Sequence, residues 1–141
     1  MFVAEILKTK GNAVFTVTPD LSVAGACREL EQRRVGALVV CDGDRVAGVF
    51  SERDVVRALA SEGPAALGRP VSAYMTEKVI VAEPREPMAA LMTRMTDRRI
   101  RHLPVMESGR LVGVVSIGDV VKAQIAEHAQ EAESLRTYIA G

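Results

Sequence analysis

Residues 48–56 (GVFSERDVV) decide the fold, because a second copy, residues 113–121 (GVVSIGDVV), lies 65 positions further along the chain. Each copy is an apolar run that begins with glycine and ends with serine, and an aspartate follows three positions after the serine. The apolar run predicts a buried strand, and the pattern beyond the serine predicts a helix. Each copy therefore marks a point where a strand leads directly into a helix.

The repeat extends well beyond this stretch. The same shift of 65 positions places Pro19 on Pro84 and Leu38 on Leu103, without a gap, and it also matches the arginine pair at 33–34 with the pair at 98–99. Two copies of one unit of roughly sixty residues, each marginal alone, are expected to pack as a pair about a pseudo-two-fold axis.

Each copy is predicted to run strand, helix, strand, strand, helix. Residues 14–17 and 37–41 form short apolar runs, and Asp-Gly at positions 42–43 indicates a hairpin before the run at 46–50. Helical spacing groups Val23, Ala26, Cys27 and Leu30 in the first copy and Met88, Leu91, Met92 and Met95 in the second. Pro104 is expected at the start of its strand, because proline lacks the N–H that a ladder needs. The fold class is α+β, resembling an α/β sandwich, with two pseudo-symmetric β-α-β-β-α repeats and a C-terminal helix.

The predicted boundaries place the first repeat at 1–62, a linker rich in glycine and proline at 63–70, the second repeat at 71–126 and a C-terminal helix at 127–141. Beyond Asp119 an apolar line continues at helical spacing to the C-terminus. Its members are Val121, Ile125, Ala129, Ala132, Leu135 and Ile139. The line fits a helix packed on its own core and a dimer contact equally well.

Composition narrows the functional classes. The 141 residues carry 18 basic and 18 acidic side chains, so net charge favours neither a nucleic acid nor an anionic membrane as partner. No apolar run approaches the roughly 20 residues that span a bilayer, and the start of the chain does not resemble a secretory signal. Cys27 and Cys41 lack a metal or redox spacing, which favours a reducing compartment, and we expect the cytoplasm.

The Ser-x-x-Asp turns admit two interpretations. Ser51 with Asp54, and Ser116 with Asp119, can simply cap the helices that they open. The same turns can bind a ligand, because free N–H groups and the helix dipole favour a phosphate, and a carboxylate can accept from both hydroxyls of a ribose. Two turns at equivalent positions of a gapless repeat favour the ligand, although both roles can coexist.

These turns, with the segment at 99–105 (RIRHLPV), resemble a tandem cystathionine-β-synthase (CBS) domain pair over nearly the whole chain. The chain is similar to stand-alone CBS-pair proteins of bacteria and plant organelles. The resemblance implies a regulatory module, usually dimeric, that binds an adenosine-containing ligand such as AMP, ADP, ATP, NAD or S-adenosylmethionine in the cleft between the copies.

The candidate ligand-binding residues come from equivalent positions of the two copies, apart from Pro104, whose equivalent Val39 is not a candidate. They are Thr16, Gly36, Ala37, Leu38, Ser51, Arg53, Asp54, Val81, Arg101, His102, Leu103, Pro104, Ser116, Gly118 and Asp119. The shift matches positions 36–37 with 101–102, and 53 with 118, so the two sites carry basic residues on opposite walls. If both bind ligand, we expect them to differ in affinity or phosphate preference.

We therefore expect a non-catalytic homodimer that binds an adenine nucleotide (AMP, ATP or NAD), has no catalytic cofactor and signals to an effector protein in trans. The alternative is a dimerisation or protein-interaction module with a vestigial nucleotide cleft. Asp54 and Asp119 could be imagined as a catalytic pair, but no nucleophile-and-base set, metal spacing or known phosphate loop accompanies them. His102 has no second ligand at metal spacing, and the few aromatic residues offer no stacking platform for nucleic acid.

Overall fold

The chain is an α+β protein in which two hairpins each lead directly into a helix, which confirms the predicted fold class. The structure, a computed structural model, describes residues 1–11 and 14–140. In chain order the elements are α1 (Val3–Lys10), β1 (Thr16–Val17), α2 (Val23–Arg33), β2 (Ala37–Asp42), β3 (Arg45–Ser51), α3 (Glu52–Glu62), α4 (Met88–Arg98), β4 (His102–Glu107), β5 (Arg110–Ser116) and α5 (Ile117–Ala140). Two short 3₁₀ helices, Gly63–Gly68 and Val71–Ala73, occupy the connection after α3.

The described chain divides into two compact units. The first-repeat unit is Ala13–Ile80, and the second-repeat unit is Met1–Asn12 together with Val81–Gly141. The predicted first repeat, 1–62, thus includes a leading segment that belongs to the second-repeat unit. The predicted helix at 127–141 is the continuation of α5, which runs unbroken to Ala140, and Gly141 lies outside the described residues.

In the first-repeat unit, β2 lies between β1 and β3, parallel to β1 and antiparallel to β3. The predicted turn after Asp42 joins the hairpin, and Gly43 adopts a φ of 61°, which glycine tolerates without strain. Apolar side chains from α2 and from both hairpin strands form one buried cluster. Its members are Val23, Ala26, Leu30, Leu38, Val40, Phe50 and Val71. The predicted helical face of α2 is therefore confirmed as a core face.

In the second-repeat unit, the hairpin of β4 and β5 repeats the same register, and α4 buries Met88, Leu91 and Met95. These methionines fill the core, as their spacing predicts. The expected strand before α4 is reduced to a single parallel bridge between Ala82 and Val105. The predicted order of strand, helix, strand, strand, helix is thus complete in the first repeat only.

Pro104 explains the missing strand. In the first repeat, Val39 at the equivalent position donates its backbone N–H to the Phe15 carbonyl, 3.4 Å away, beside β1. Pro104 has no N–H to donate there, although its carbonyl still accepts from the Ala82 N–H at 2.9 Å. The prediction that Pro104 starts its strand was wrong, because it lies inside β4 opposite Val114. It is tolerated there because its nitrogen faces the side on which pairing has been lost.

Residues 1–11 and 71–76 open the two predicted repeats, and we call them the leading segments. In each repeat unit, one leading segment packs against the strand that runs into the last helix. In the first-repeat unit, Thr76 exchanges two backbone hydrogen bonds with Val49 on β3, at 2.9 and 3.0 Å. In the second-repeat unit, Leu7 of α1 packs over Gly113 on β5. The glycines allow close packing, because a Cβ at Gly48 would lie 2.8 Å from the Thr76 carbonyl, and one at Gly113 would lie 2.6 Å from a Leu7 methyl. The repeated glycine of the signature therefore marks a close contact in both repeats.

Candidate functional site

We call the Ser-x-x-Asp turns at the starts of α3 and α5 the helix entrances. Both form because a hairpin strand runs into a helix without a connecting loop. In the first-repeat unit, Ser51 is the last residue of β3 and pairs with Ala37, and the Glu52 N–H donates to the Gly36 carbonyl at 3.1 Å. In the second-repeat unit, the Ile117 N–H donates to the Arg101 carbonyl at 2.8 Å. The residue that opens each helix is thus fixed to the start of the neighbouring strand.

Ser51 and Asp54 form a capping box at the start of α3. One carboxylate oxygen, Asp54 Oδ2, accepts hydrogen bonds from the Ser51 N–H at 2.8 Å and from the Ser51 hydroxyl at 3.1 Å. In return, Ser51 Oγ accepts a longer bond from the Asp54 N–H, at 3.4 Å. The capping interpretation therefore applies at this turn.

The other oxygen of Asp54 also has neighbours within the first-repeat unit. The Thr76 hydroxyl lies 3.4 Å from Asp54 Oδ1, and the Arg57 guanidinium lies 3.5 Å from it. Asp54 is only 2% exposed. A ligand hydroxyl can reach this carboxylate only if Thr76 and Arg57 give way, and both contacts are long enough to be weak.

Ser116 and Asp119 repeat the cap at the start of α5. The Ser116 N–H donates to Asp119 Oδ2 at 2.8 Å, and the Asp119 N–H donates to Ser116 Oγ at 3.1 Å. Here a lysine joins them: Lys10 Nζ, at the end of α1, lies 2.6 Å from Asp119 Oδ2 and 2.7 Å from the Val114 carbonyl. Asp119 therefore has a shorter ion pair, with a lysine from a separate helix, than the 3.5 Å pair of Asp54 with Arg57 of its own helix.

The Asp119 carboxylate is anionic and partly accessible. Burial by itself would raise its pKa, but the hydrogen bonds from Lys10 and from Ser116 outweigh burial and hold the pKa of Asp119 below its ordinary value. The side chain is 23% exposed, compared with 3% for Asp54. Asp119 is thus the acid to which a ligand has the more direct access.

The predicted site residues separate by exposure. The side chains of Leu38, Leu103 and Pro104 are buried. The residues Thr16, Arg53, Val81, Arg101 and Gly118 are exposed, and Gly36, Ala37, Ser51, His102 and Ser116 are half-buried.

Within each unit the hairpin register brings several of these residues together. Ala37 lies opposite Ser51, and His102 lies opposite Ser116, so each capping serine has a predicted site residue across the ladder. Val81 makes a different contact: its backbone carbonyl accepts a hydrogen bond from the Arg94 guanidinium at 3.1 Å. Arg94 also binds Glu86 at 2.7 Å, which gives it a structural role in the second-repeat unit.

Sequence reasoning missed three residues at the entrances: Lys10, Arg57 and Thr76. Arg57 lies three positions after Asp54 on the same helix, so the i,i+3 spacing was a usable signal. Lys10 and Thr76 lie in the segments that lead into the two repeats, and the shift of 65 places Gly11, next to Lys10, on Thr76. The glycines at 48 and 113 were the signal that these segments pack closely against the strands.

Among residues 1–11 and 14–140, no three histidine, cysteine, aspartate or glutamate side chains are grouped so that they could hold a metal ion. In the same residues, no helix has the length and apolar character to cross a bilayer.

Comparison with known proteins gives consistent matches over both repeats. The CBS domain family model matches residues 3–61 and 71–126. The chain is 36% identical to the mitochondrial CBS domain-containing protein CBSX3 of Arabidopsis thaliana, over 99% of this chain and 72% of that protein.

Solved structures show the same fold. The CBS-domain-containing protein ATU1752 of Agrobacterium tumefaciens is 46% identical with a TM-score of 0.86, covering 88% of this chain and 99% of that one. The CBS domain protein PAE2072 of Pyrobaculum aerophilum, solved in complex with AMP, is 28% identical with a TM-score of 0.75, covering 84% and 89%.

Proposed function

The chain belongs to the CBS domain family, and on this premise we propose that it is a non-catalytic regulatory module that binds an adenosine-containing ligand at its paired helix entrances. The observation that carries the proposal is the Ser-x-x-Asp entrance built twice in one register, each time beside predicted site residues. The AMP complex of the related Pyrobaculum protein supports a ligand of this class.

The chemistry of the Asp119 entrance suits such a ligand. Its accessible carboxylate can accept from ribose hydroxyls, while Lys10 and the exposed Arg101 can donate to phosphate oxygens. Gly118 is exposed in the first turn of α5, where backbone N–H groups and the helix dipole favour an anion.

The Asp54 entrance has the same design with a less accessible carboxylate. Its exposed cations are Arg53 and Arg57, and its carboxylate is covered by Thr76 and Arg57. Ligand binding there has to displace these two contacts. We therefore propose that the Asp119 entrance binds the ligand with higher affinity than the Asp54 entrance does.

The test is a ligand screen read out by thermal unfolding and calorimetry. AMP, ADP, ATP, NAD and S-adenosylmethionine are added to the purified protein, and a ligand at a hundred times its Kd should add about 2.7 kcal/mol of stability. We expect Asp119→Asn to remove the tighter binding event and Asp54→Asn to remove the weaker one.

Asp44→Asn is the matched control, because Asp44 is an exposed acid in the hairpin turn and should leave binding unchanged. Circular dichroism first confirms that each variant is folded at the temperature of the titration. If both variants bind like the parent protein, the proposed entrances are wrong. If no adenosine compound binds the parent, the nucleotide function is wrong.

A second candidate is an interaction module whose nucleotide site is vestigial. The exposed apolar residues of α5, among them Leu135 and Ile139, favour it. Homodimer formation, an effector protein in trans and a cytoplasmic location are parts of the same proposal. The Arabidopsis relative is named as mitochondrial, so location needs its own test by fractionation of cells that express the protein.

A further inference from the structure

The second half of α5 presents large apolar side chains to solvent. Every residue from His128 to Ala140 is exposed, and Ile125, Leu135 and Ile139 are 65%, 61% and 81% exposed. The helix contacts its own unit through its first half, where Val120 is buried. An exposed apolar face on a three-heptad helix needs a partner to be stable in water.

The exposed side chains follow the spacing of a coiled-coil seam. Steps of four, three, four, three and four residues join Val121, Ile125, His128, Ala132, Leu135 and Ile139. We call these six residues the α5 seam. In heptad terms, Ile125, Ala132 and Ile139 occupy a positions, and Val121, His128 and Leu135 occupy d positions. Among parallel coiled coils, isoleucine at a with leucine at d, as at Ile139 and Leu135, favours two strands.

The charges that flank the seam select one orientation. Glu131 occupies a g position, and Arg136 lies five residues later at an e position. In a parallel pair in register, a g residue faces the e residue five positions further along the other helix. Each Glu131 then faces the partner's Arg136, which gives two opposite-charge pairs related by the two-fold axis.

An antiparallel pair with the same overlap brings like charges together. There g residues face g residues and e residues face e residues, so Glu131 approaches the partner's Glu131. Arg136 approaches the partner's Lys122, another e residue. Opposite charges thus favour the parallel arrangement, and like charges disfavour the antiparallel one.

We propose that the α5 seam pairs in parallel and in register with the α5 seam of a second copy of this chain. This deepens the homodimer part of the proposed function and does not depend on nucleotide binding. The imidazole of His128 then lies in an otherwise apolar seam, where a polar residue fixes register at a cost in stability. A second copy is the occupant because only its seam is certain to repeat the same spacing and the same complementary charges.

Disulfide trapping tests the orientation. In a Cys27→Ser, Cys41→Ser background, Leu135→Cys at a d position should give a covalent dimer in oxidising buffer, because identical d residues meet only in a parallel pair. Thr137→Cys, two residues later at an outward f position, is the matched control and should trap at least tenfold less. Equal trapping of both variants would overturn the arrangement.

Charge exchange, followed by sedimentation equilibrium, tests the pairing independently. Glu131→Arg and Arg136→Glu should each raise the dimer Kd about tenfold, and the double exchange should restore it, since opposite charges meet again. A tighter dimer for Arg136→Glu alone would indicate the antiparallel pair and overturn the proposal. His128→Leu should tighten the dimer, because it makes the seam wholly apolar.

Leu135→Glu should abolish dimerisation through α5 while ligand-dependent stabilisation persists. Failure of the seam is therefore distinguishable from failure of the nucleotide proposal. A parent protein that is monomeric at 100 μM, on the order of the weakest useful homodimer Kd, would show that α5 meets a different partner and overturn the proposal. An unchanged dimer for Leu135→Glu would likewise overturn it.

Discussion

The two helix entrances have the same cap but different neighbours. At the start of α3, Asp54 is covered by a neutral hydroxyl from Thr76 and by Arg57 of its own helix. At the start of α5, Asp119 binds Lys10 from a separate helix, α1, and stays partly accessible. The hairpin and the cap are thus the same in both repeats. The residue that a leading segment places beside the aspartate differs, and with it the local charge.

The leading segments also pack differently. Gly48 lies under backbone, the Thr76 carbonyl, and under the Met75 side chain, whereas Gly113 lies under the terminal methyls of Leu7. Thr76 cannot move far, because its backbone N–H and carbonyl are both hydrogen-bonded to Val49, while a leucine can change its rotamer. A side chain added at Gly48 should therefore destabilise the first-repeat unit more than one added at Gly113 destabilises the second.

The largest effect that separates the units is expected from an added methyl group. Gly48→Ala should lower the free energy of unfolding by about 2–3 kcal/mol, and Gly113→Ala by about 1 kcal/mol, since both overpack a close contact. Chemical denaturation measures both. Gly68→Ala is the control, because a Cβ there meets no atom within 4 Å and the change should be nearly neutral. Equal losses at Gly48 and Gly113 would contradict the stated difference between the leading segments.

The sequence predicted the hairpins and the core faces correctly, and it offered the caps as one of two interpretations, because each depends on local spacing. The Ser-x-x-Asp turn needs only residues three apart, and each apolar run, such as those that contain Val40 and Phe50, needs only one strand. The placement of α1 could not be predicted in the same way. Lys10 reaches Asp119 across 109 positions of sequence, and no local pattern reports such a contact.

A second limit came from treating matched positions as structurally equal. Leu38 and Leu103 do resemble each other, since both side chains are buried. Pro104 aligns with Val39 and removes a hydrogen bond from only one of the repeats. Whether the aligned positions bind a ligand is still a prediction, and the titrations described above decide it.

An intermediate effect is expected from the pH dependence of the second entrance. The folded pKa of Asp119 is below its unfolded value, so its stabilising contribution is present above about pH 4 and is lost as the pH falls through the folded pKa. Lys10→Met should remove about 1 kcal/mol above pH 5 and flatten the acid limb of the stability curve. Urea denaturation between pH 2.5 and 6 measures this.

Lys8→Met is the matched control for that experiment, because Lys8 is an exposed lysine in the same last turn of α1. It should shift stability by less than about 0.5 kcal/mol at every pH. If Lys10→Met leaves the acid limb as steep as in the parent, the Lys10–Asp119 pair contributes nothing to the difference between the entrances.

The smallest effect concerns the strand that the second repeat lacks. Pro104→Val restores the donor that Val39 has in the first repeat, so we expect pairing beside β4 to extend beyond the single bridge at Ala82. The added hydrogen bond, worth about 1 kcal/mol, is largely offset because the unfolded chain gains freedom when proline is lost. Amide hydrogen exchange is therefore the measurement: the new amide at position 104 should be protected about as well as that of Val39. The contrary result is a folded variant in which the amide at position 104 exchanges as fast as that of exposed Gly109. The restored donor then finds no carbonyl beside it, so proline would not be the cause of the difference between the two repeats.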